Sequence, residues 1–223
     1  MPKTTFIVGA SRGIGREMAQ QAKARGDRVI VSVRTGQAAT ELENMVDQVV
    51  TFDVTDEDSM QAAAANLGPI DLLICNAGVY RGRGGMDAPD SGLDAWSDVM
   101  LTNVAGPFLS IRAFLGNISA PGGKITIISS KMGSSELAPG NGYLYRASKA
   151  AATNVACNLA AELKPRGIAV GSYHPGWVRT DMGGDNADIS VAESAAGLLA
   201  RFDTLSMETT GVFEGYNGEA LPF

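Results

Sequence analysis

Two kinds of segment alternate along the whole chain. Short, nearly continuous apolar runs cover residues 5–8, 28–33, 49–52, 71–75, 124–129, 168–173 and 211–213. They are rich in Val, Ile and Phe and show little apolar/polar alternation, which predicts strands buried on both faces. Between them lie longer Ala-, Glu- and Gln-rich stretches at 14–25, 40–46, 56–67, 93–115, 143–163 and 191–202, with helical spacing of their apolar positions. Strand and helix in regular succession predict an α/β fold. The reading is one Rossmann-type, doubly wound parallel sheet of about seven strands flanked by helices, in a single domain over 1–223. Local signals agree: Gly26 stops the first helix, and Asp56 with Glu57 and Asp58 caps the third with an acidic first turn. Looser segments at 80–92, 131–143 and 180–190 follow the C-terminal ends of strands. Open α/β sheets bind their ligands at that edge, so these are the expected substrate loops.

Composition narrows the classes of function. A net charge of −6 disfavours nucleic acid and anionic membrane surfaces as partners. The two cysteines, Cys75 and Cys157, and the single His174 offer no metal-ligand spacing, so no metal site is expected. No apolar run reaches membrane-spanning length, and the run 6–8 is too short for a signal-peptide core. A cytoplasmic location is the expectation.

The first strand runs into Gly9-Ala10-Ser11-Arg12-Gly13-Ile14-Gly15, and the first helix follows. Glycines there permit a tight turn and close backbone approach, while the helix N-terminus offers N–H groups to a pyrophosphate. Most of the 27 glycines simply make turns, so it is the position that carries the weight. A fold of this kind that prefers NAD carries an acid about 20 residues on, at the end of the second strand. Here that strand ends Val33-Arg34, and Arg12 stands inside the glycine loop. Two guanidiniums and no acid favour the 2′-phosphate of NADP(H), with NAD(H) as the alternative.

Tyr145 and Lys149 open the helix at 143–163, one turn apart on one face. A neighbouring ammonium favours phenolate and brings a phenol toward acid/base work. With five Tyr and six Lys in 223 residues, this spacing arises by chance in about one chain in eight. Tyr143 is off that face, and His174 has no visible acid partner.

These features together resemble the classical short-chain dehydrogenase/reductase family over essentially the whole chain. The matching positions are Gly9 to Gly15, Asp53-Val54 after the third strand, Asn76-Ala77-Gly78 after the fourth, Asn103 in the long helix, Ser129-Ser130, Tyr145, Lys149, and Pro175-Gly176 with Thr180. Arg179 to Gly184 and Glu214 to Gly218 are similar to the C-factor-like and sniffer-like carbonyl reductase branch. The resemblance implies an NADP(H)-dependent oxidoreductase acting on a small carbonyl or alcohol. It implies Tyr145 as acid/base, Ser130 holding the carbonyl oxygen, Lys149 lowering the Tyr145 pKa and binding ribose, and Asn103 in a proton relay. It further implies Gly9, Ser11, Arg12, Gly13, Ile14 and Gly15 at the pyrophosphate, Asp53 and Val54 at adenine, and Asn76, Ala77 and Gly78 against the cofactor. Pro175, Gly176, Val178 and Thr180 would frame the nicotinamide, and a homodimer or homotetramer is implied. Strand alternation allows only one of Ser129 and Ser130 to face the site, and alignment with the family selects Ser130. Val8 and Cys75 depart from the family's usual residues, and the segment 130–145 is longer than its usual connection. Tyr80, Met132, Tyr143, Trp177 and Met182 either line a pocket or pack the loops. The readings that compete are an NAD-dependent alcohol dehydrogenase and a cofactor-binding signalling protein with little turnover.

Overall fold

The computed structural model describes residues 2–223. Its strands are β1 (Thr4–Val8), β2 (Arg28–Val33), β3 (Gln48–Thr51), β4 (Leu72–Cys75), β5 (Lys124–Ile128), β6 (Ala169–His174) and β7 (Phe213–Gly215). They form one parallel sheet in the order β3-β2-β1-β4-β5-β6-β7, the expected doubly wound topology. The helices are α1 (Gly13–Ala24), α2 (Gly36–Leu42), α3 (Glu57–Ala65), α4 (Leu93–Met100), α5 (Gly106–Phe114), α6 (Tyr143–Leu163) and α7 (Val191–Thr204).

Both faces of the sheet are buried, as the continuous apolar runs require. On β1, Phe6 and Val8 pack with Phe114 of α5 and Ala152 and Leu159 of α6, while Ile7 packs with Met18 of α1 and Leu198 of α7. Phe6 meets Phe114 edge-on at 4.9 Å between ring centres. Strand order reverses between β1 and β4, so the crevice at their C-terminal ends is the switch point where such sheets bind ligands.

Three elements depart from the sequence reading. The second helix starts at Gly36 instead of residue 40, because Thr35 caps it by accepting from the Ala38 N–H. The last strand lies at Phe213–Gly215, two residues later than expected. The helix expected over 93–115 is interrupted by a π-turn, Leu101–Ala105, between α4 and α5. Pro107 explains the interruption. It has no N–H for the Asn103 carbonyl four residues back, and its ring would strike that carbonyl in a regular helix.

Candidate functional site

Gly9 (φ +86°) and Gly13 (φ +55°) turn the chain from β1 into α1 through a region that favours glycine. A Cβ on Gly9 would sit 2.8 Å from Ala77. One on Gly15 would fall onto the Gly9 carbonyl oxygen and lie 2.5 Å from Asn76 Nδ2. Asn76 Nδ2 donates to that same carbonyl at 2.6 Å, and the Asn76 and Ala77 N–H groups both donate to the Val8 carbonyl. The glycine loop and the turn after β4 are therefore one packed unit. Ala at position 15 is expected to destabilise the fold by about 1–3 kcal/mol through overpacking, whereas Gly36→Ala, with nothing within 4 Å, should not. Equal melting temperatures for the two variants would refute the packed-turn account.

Unlike α2, α3 and α7, α1 has no side-chain cap. Among the described residues, no acceptor takes the N–H groups of Gly13, Ile14 and Gly15. An open helix N-terminus behind a cradle with no room for side chains suits a phosphate. Ser11 and Arg12 are exposed beside it. Arg12 is ion-paired with Asp181, while exposed Arg34 has no ion-pair partner among the described residues, so no shared partner joins the two guanidiniums. Asp53 Oδ1 accepts from the Thr55 N–H and hydroxyl, and Val54 is buried.

Tyr145, Lys149, Asn103 and Gly78 come together. A Cβ built on Gly78 would lie 3.3 Å from Asn103 Oδ1 and 3.6 Å from Lys149 Nζ. Asn103 clamps the backbone of Val79, accepting its N–H at 2.8 Å and donating to its carbonyl at 2.9 Å. The Asn103 amide also donates to Ser148 Oγ at 3.0 Å, so both amide protons are committed. The π-turn places this buried amide opposite α6.

The two serines part company. Ser129 Oγ, fully buried, is bonded to the Lys149 carbonyl at 3.0 Å and to Thr153 Oγ1 at 2.7 Å. Ser130 Oγ accepts from the Met132 N–H at 3.1 Å, which leaves its own proton to donate. That hydroxyl also draws the Tyr145 pKa down.

Burial is the largest influence on the pKa of both Tyr145 and Lys149. Burial raises the phenol to about 12, opposed by Ser130 and by the charge of Arg83, while Tyr80 adds to the rise. Burial also pulls Lys149 down to about 8, and its Nζ donates to the Ile128 carbonyl at 2.7 Å. The ammonium thus loses its proton well before the phenol does.

On the far side of the crevice, Gly176 (φ +89°) packs against Ile189 and Tyr216, and the Pro175 carbonyl accepts from Ser194. Val178 bridges to Ile189, and Thr180 Oγ1 accepts from the Gly183 N–H. A Cβ on Gly13 would lie 3.5 Å from Thr180 Cγ2, so this loop reaches the glycine turn. His174 is buried and held neutral, its pKa pulled to about 4 by burial and by the charge of Lys131.

Of the candidate lining residues, Tyr80 stacks on Tyr145 with ring centres 4.3 Å apart and planes at 22°. Tyr80 and Met132 meet around Gly142, while Tyr143 and Trp177 are half exposed. Sequence reading did not single out Arg83, which lies over the Tyr80 ring, nor Ser148, the partner of Asn103. The family model for short chain dehydrogenases matches residues 3–189.

The chain belongs to the short-chain dehydrogenase family.

A carbonyl reductase from Pseudomonas aeruginosa PAO1, solved in complex with NADP, is 34% identical with a TM-score of 0.87, covering 100% of both chains. The NADPH-bound carbonyl reductase from chicken fatty liver is 31% identical with a TM-score of 0.89, covering 100% of this chain and 99% of that one. C-signal of Myxococcus xanthus is 34% identical over 171 residues, 74% of this chain and 100% of that protein. Among the described residues, no helix of this short-chain dehydrogenase is long and apolar enough to cross a membrane, and no metal-binding cluster is present.

Proposed function

We propose that this short-chain dehydrogenase is an NADP(H)-dependent reductase of small carbonyl compounds. The observation that carries the reading is a buried phenol, Tyr145, kept protonated beside a hydroxyl with a free proton, Ser130, across the crevice from the open N-terminus of α1.

The residues present fit a dinucleotide. Gly9, Ser11, Arg12, Gly13, Ile14 and Gly15 would hold the pyrophosphate, and Arg12 and Arg34 the 2′-phosphate, with Arg12 exchanging Asp181 for it. Asp53 and Val54 would meet the adenine, and Asn76, Ala77 and Gly78 would wall the cleft. Tyr145 and Lys149 would take the ribose hydroxyls, and Pro175, Gly176, Val178 and Thr180 the nicotinamide end. When bound, the reduced nicotinamide supplies a hydride.

Ser130 donates a hydrogen bond to the carbonyl oxygen and polarises it. Tyr145 gives its phenolic proton to that oxygen as the carbon becomes an alcohol carbon. Asn103 holds Val79 and, through Ser148, α6, so that the phenol and the turn after β4 keep their spacing. With burial raising its pKa to about 12, the phenol is protonated at neutral pH, so the form that donates is fully populated while the phenolate that alcohol oxidation needs is scarce.

The test follows absorbance of the reduced nicotinamide with a panel of aldehydes and ketones, using NADPH and NADH. Reduction with NADPH preferred by about tenfold is expected, from one or more charge-assisted bonds to the 2′-phosphate. Arg34→Gln should lose most of that preference. Faster turnover with NADH would reverse the cofactor assignment. The likeness to C-signal favours a second reading, a cofactor-binding signalling protein; it gains if NADPH binds but no carbonyl is reduced.

A further inference from the structure

We propose that Arg83 determines the substrate specificity of this cleft and selects carbonyl compounds that also carry a carboxylate. This rests on the carbonyl reductase reading above. Three planar groups are layered at the mouth of the site. The Tyr145 ring is innermost, Tyr80 covers it at 4.3 Å, and the Arg83 guanidinium lies 4.5 Å from the centre of the Tyr80 ring. The charge reaches inward, since Arg83 lowers the Tyr145 pKa through space.

Arg83 is exposed, and its one hydrogen bond goes to the Met182 carbonyl on the facing loop. A guanidinium has five N–H donors in a planar fork suited to a carboxylate, so most of this fork is unused. The contrast with Arg81, two residues earlier, is informative. Arg81 is paired with both Asp94 and Asp98. Asp90, on the same loop as Arg83, is engaged by the Gly82 N–H.

The neighbouring cations behave as Arg83 does. Arg146 reaches only the carbonyls of Met132 and Leu137, and its Nε is buried with no partner. Lys131, next to Ser130, forms no ion pair among the described residues. A chain with net charge −6 thus keeps three cations without carboxylate partners around one crevice. Such a rim concentrates small anions and orients them as they enter. A carbonyl at Tyr145 and a carboxylate at Arg83 would belong to one small molecule that reaches past the Tyr80 layer, whose stacking separations are 4.3 Å on one side and 4.5 Å on the other.

Matched substrates test this directly. Reduction of 4-carboxybenzaldehyde by NADPH is compared with that of its neutral methyl ester. The wild-type enzyme should prefer the acid by about tenfold or more in kcat/KM, the scale of a charge-assisted pair. Higher ionic strength should shrink the ratio. Arg83→Gln should bring it close to one, and Arg83→Lys should keep part of it, since the charge stays and the fork is lost. A wild-type ratio near one, or a ratio that Arg83→Gln leaves intact, overturns the proposal.

A binding measurement separates this from the reductase reading. The alcohol products, 4-(hydroxymethyl)benzoate and its methyl ester, are titrated against tryptophan fluorescence. If neither aldehyde is turned over, the reductase reading fails. Arg83-dependent preference for the benzoate then still supports the anion site, and equal binding of acid and ester removes it.

Discussion

Replacing Tyr145 by Phe is expected to lower kcat/KM for carbonyl reduction by about 10²- to 10⁴-fold, the range for loss of a positioned proton donor. The ring is retained, so its stacking on Tyr80 and its place in the opening turn of α6 should survive. Thermal unfolding of the variant should stay close to wild type, and NADPH affinity should change by no more than a few-fold. The pH profile carries the finer test. Burial holds the phenol near 12, so the acid form is present at every pH up to the alkaline range. Reduction should therefore show no loss from ionisation of Tyr145 around neutrality. Alcohol oxidation needs the phenolate and should rise with pH over the same interval. Tyr145→Phe should remove that rise along with the activity. Turnover preserved in this variant would mean that another group supplies the proton and would remove Tyr145 from the mechanism.

The large features of this molecule were legible because they are repeated many times along the chain. Seven apolar runs without alternation can only be strands covered on both sides, and the sheet buries Phe6 and Val8 on one face and Ile7 on the other. The glycine loop was legible for a steric reason: a side chain at Gly9 or Gly15 would collide with backbone. What escaped depends on single contacts. Thr35 starts α2 early because its cap bond carries Gly36 into the first turn, ahead of the helix formers Gln37, Ala38 and Ala39. The π-turn escaped because the apolar spacing over 93–115 hardly changes when one residue is inserted. The Gly106-Pro107 pair inside that stretch was the available signal, since Pro107 cannot continue a regular ladder. Lys149 was placed correctly beside Tyr145, with its Nζ 5.5 Å from the ring centre. Its burial was not legible, because spacing along a helix says nothing about how far desolvation lowers the amine's pKa. Arg83 escaped for a similar reason: a sequence does not say which arginine of a loop finds an acid and which is left over.

Substitution of Lys149 by Met should separate stability from function. Turnover is expected to fall by at least about a hundredfold, because the residue proposed to hold the ribose hydroxyls, and with them the cofactor's position, is gone. The fold should nevertheless gain stability at neutral pH. Lys149 is 4% exposed, and burial takes its pKa from 10.5 to about 8. That shift is a penalty of about 3 kcal/mol on holding the charged form inside. Leaving the Ile128 carbonyl without its partner offsets about 1–3 kcal/mol of the gain. The net gain is on the order of 1 kcal/mol, or a few degrees in Tm for a chain of this size. The sign of the pH dependence follows from the same shift. Below about 8 both folded and unfolded wild-type chains carry the proton, and the penalty is felt in full. Between about 8 and 10.5 the unfolded chain holds a proton that the folded one has released, so wild-type stability rises with pH. The Met variant lacks this rise. Its advantage should therefore be largest at neutral pH and should shrink as the pH approaches 10.5, while every other titrating group cancels in the comparison. A Met variant that is less stable than wild type by the same margin at both ends of this window would mean that the Ile128 bond, not desolvation, governs Lys149.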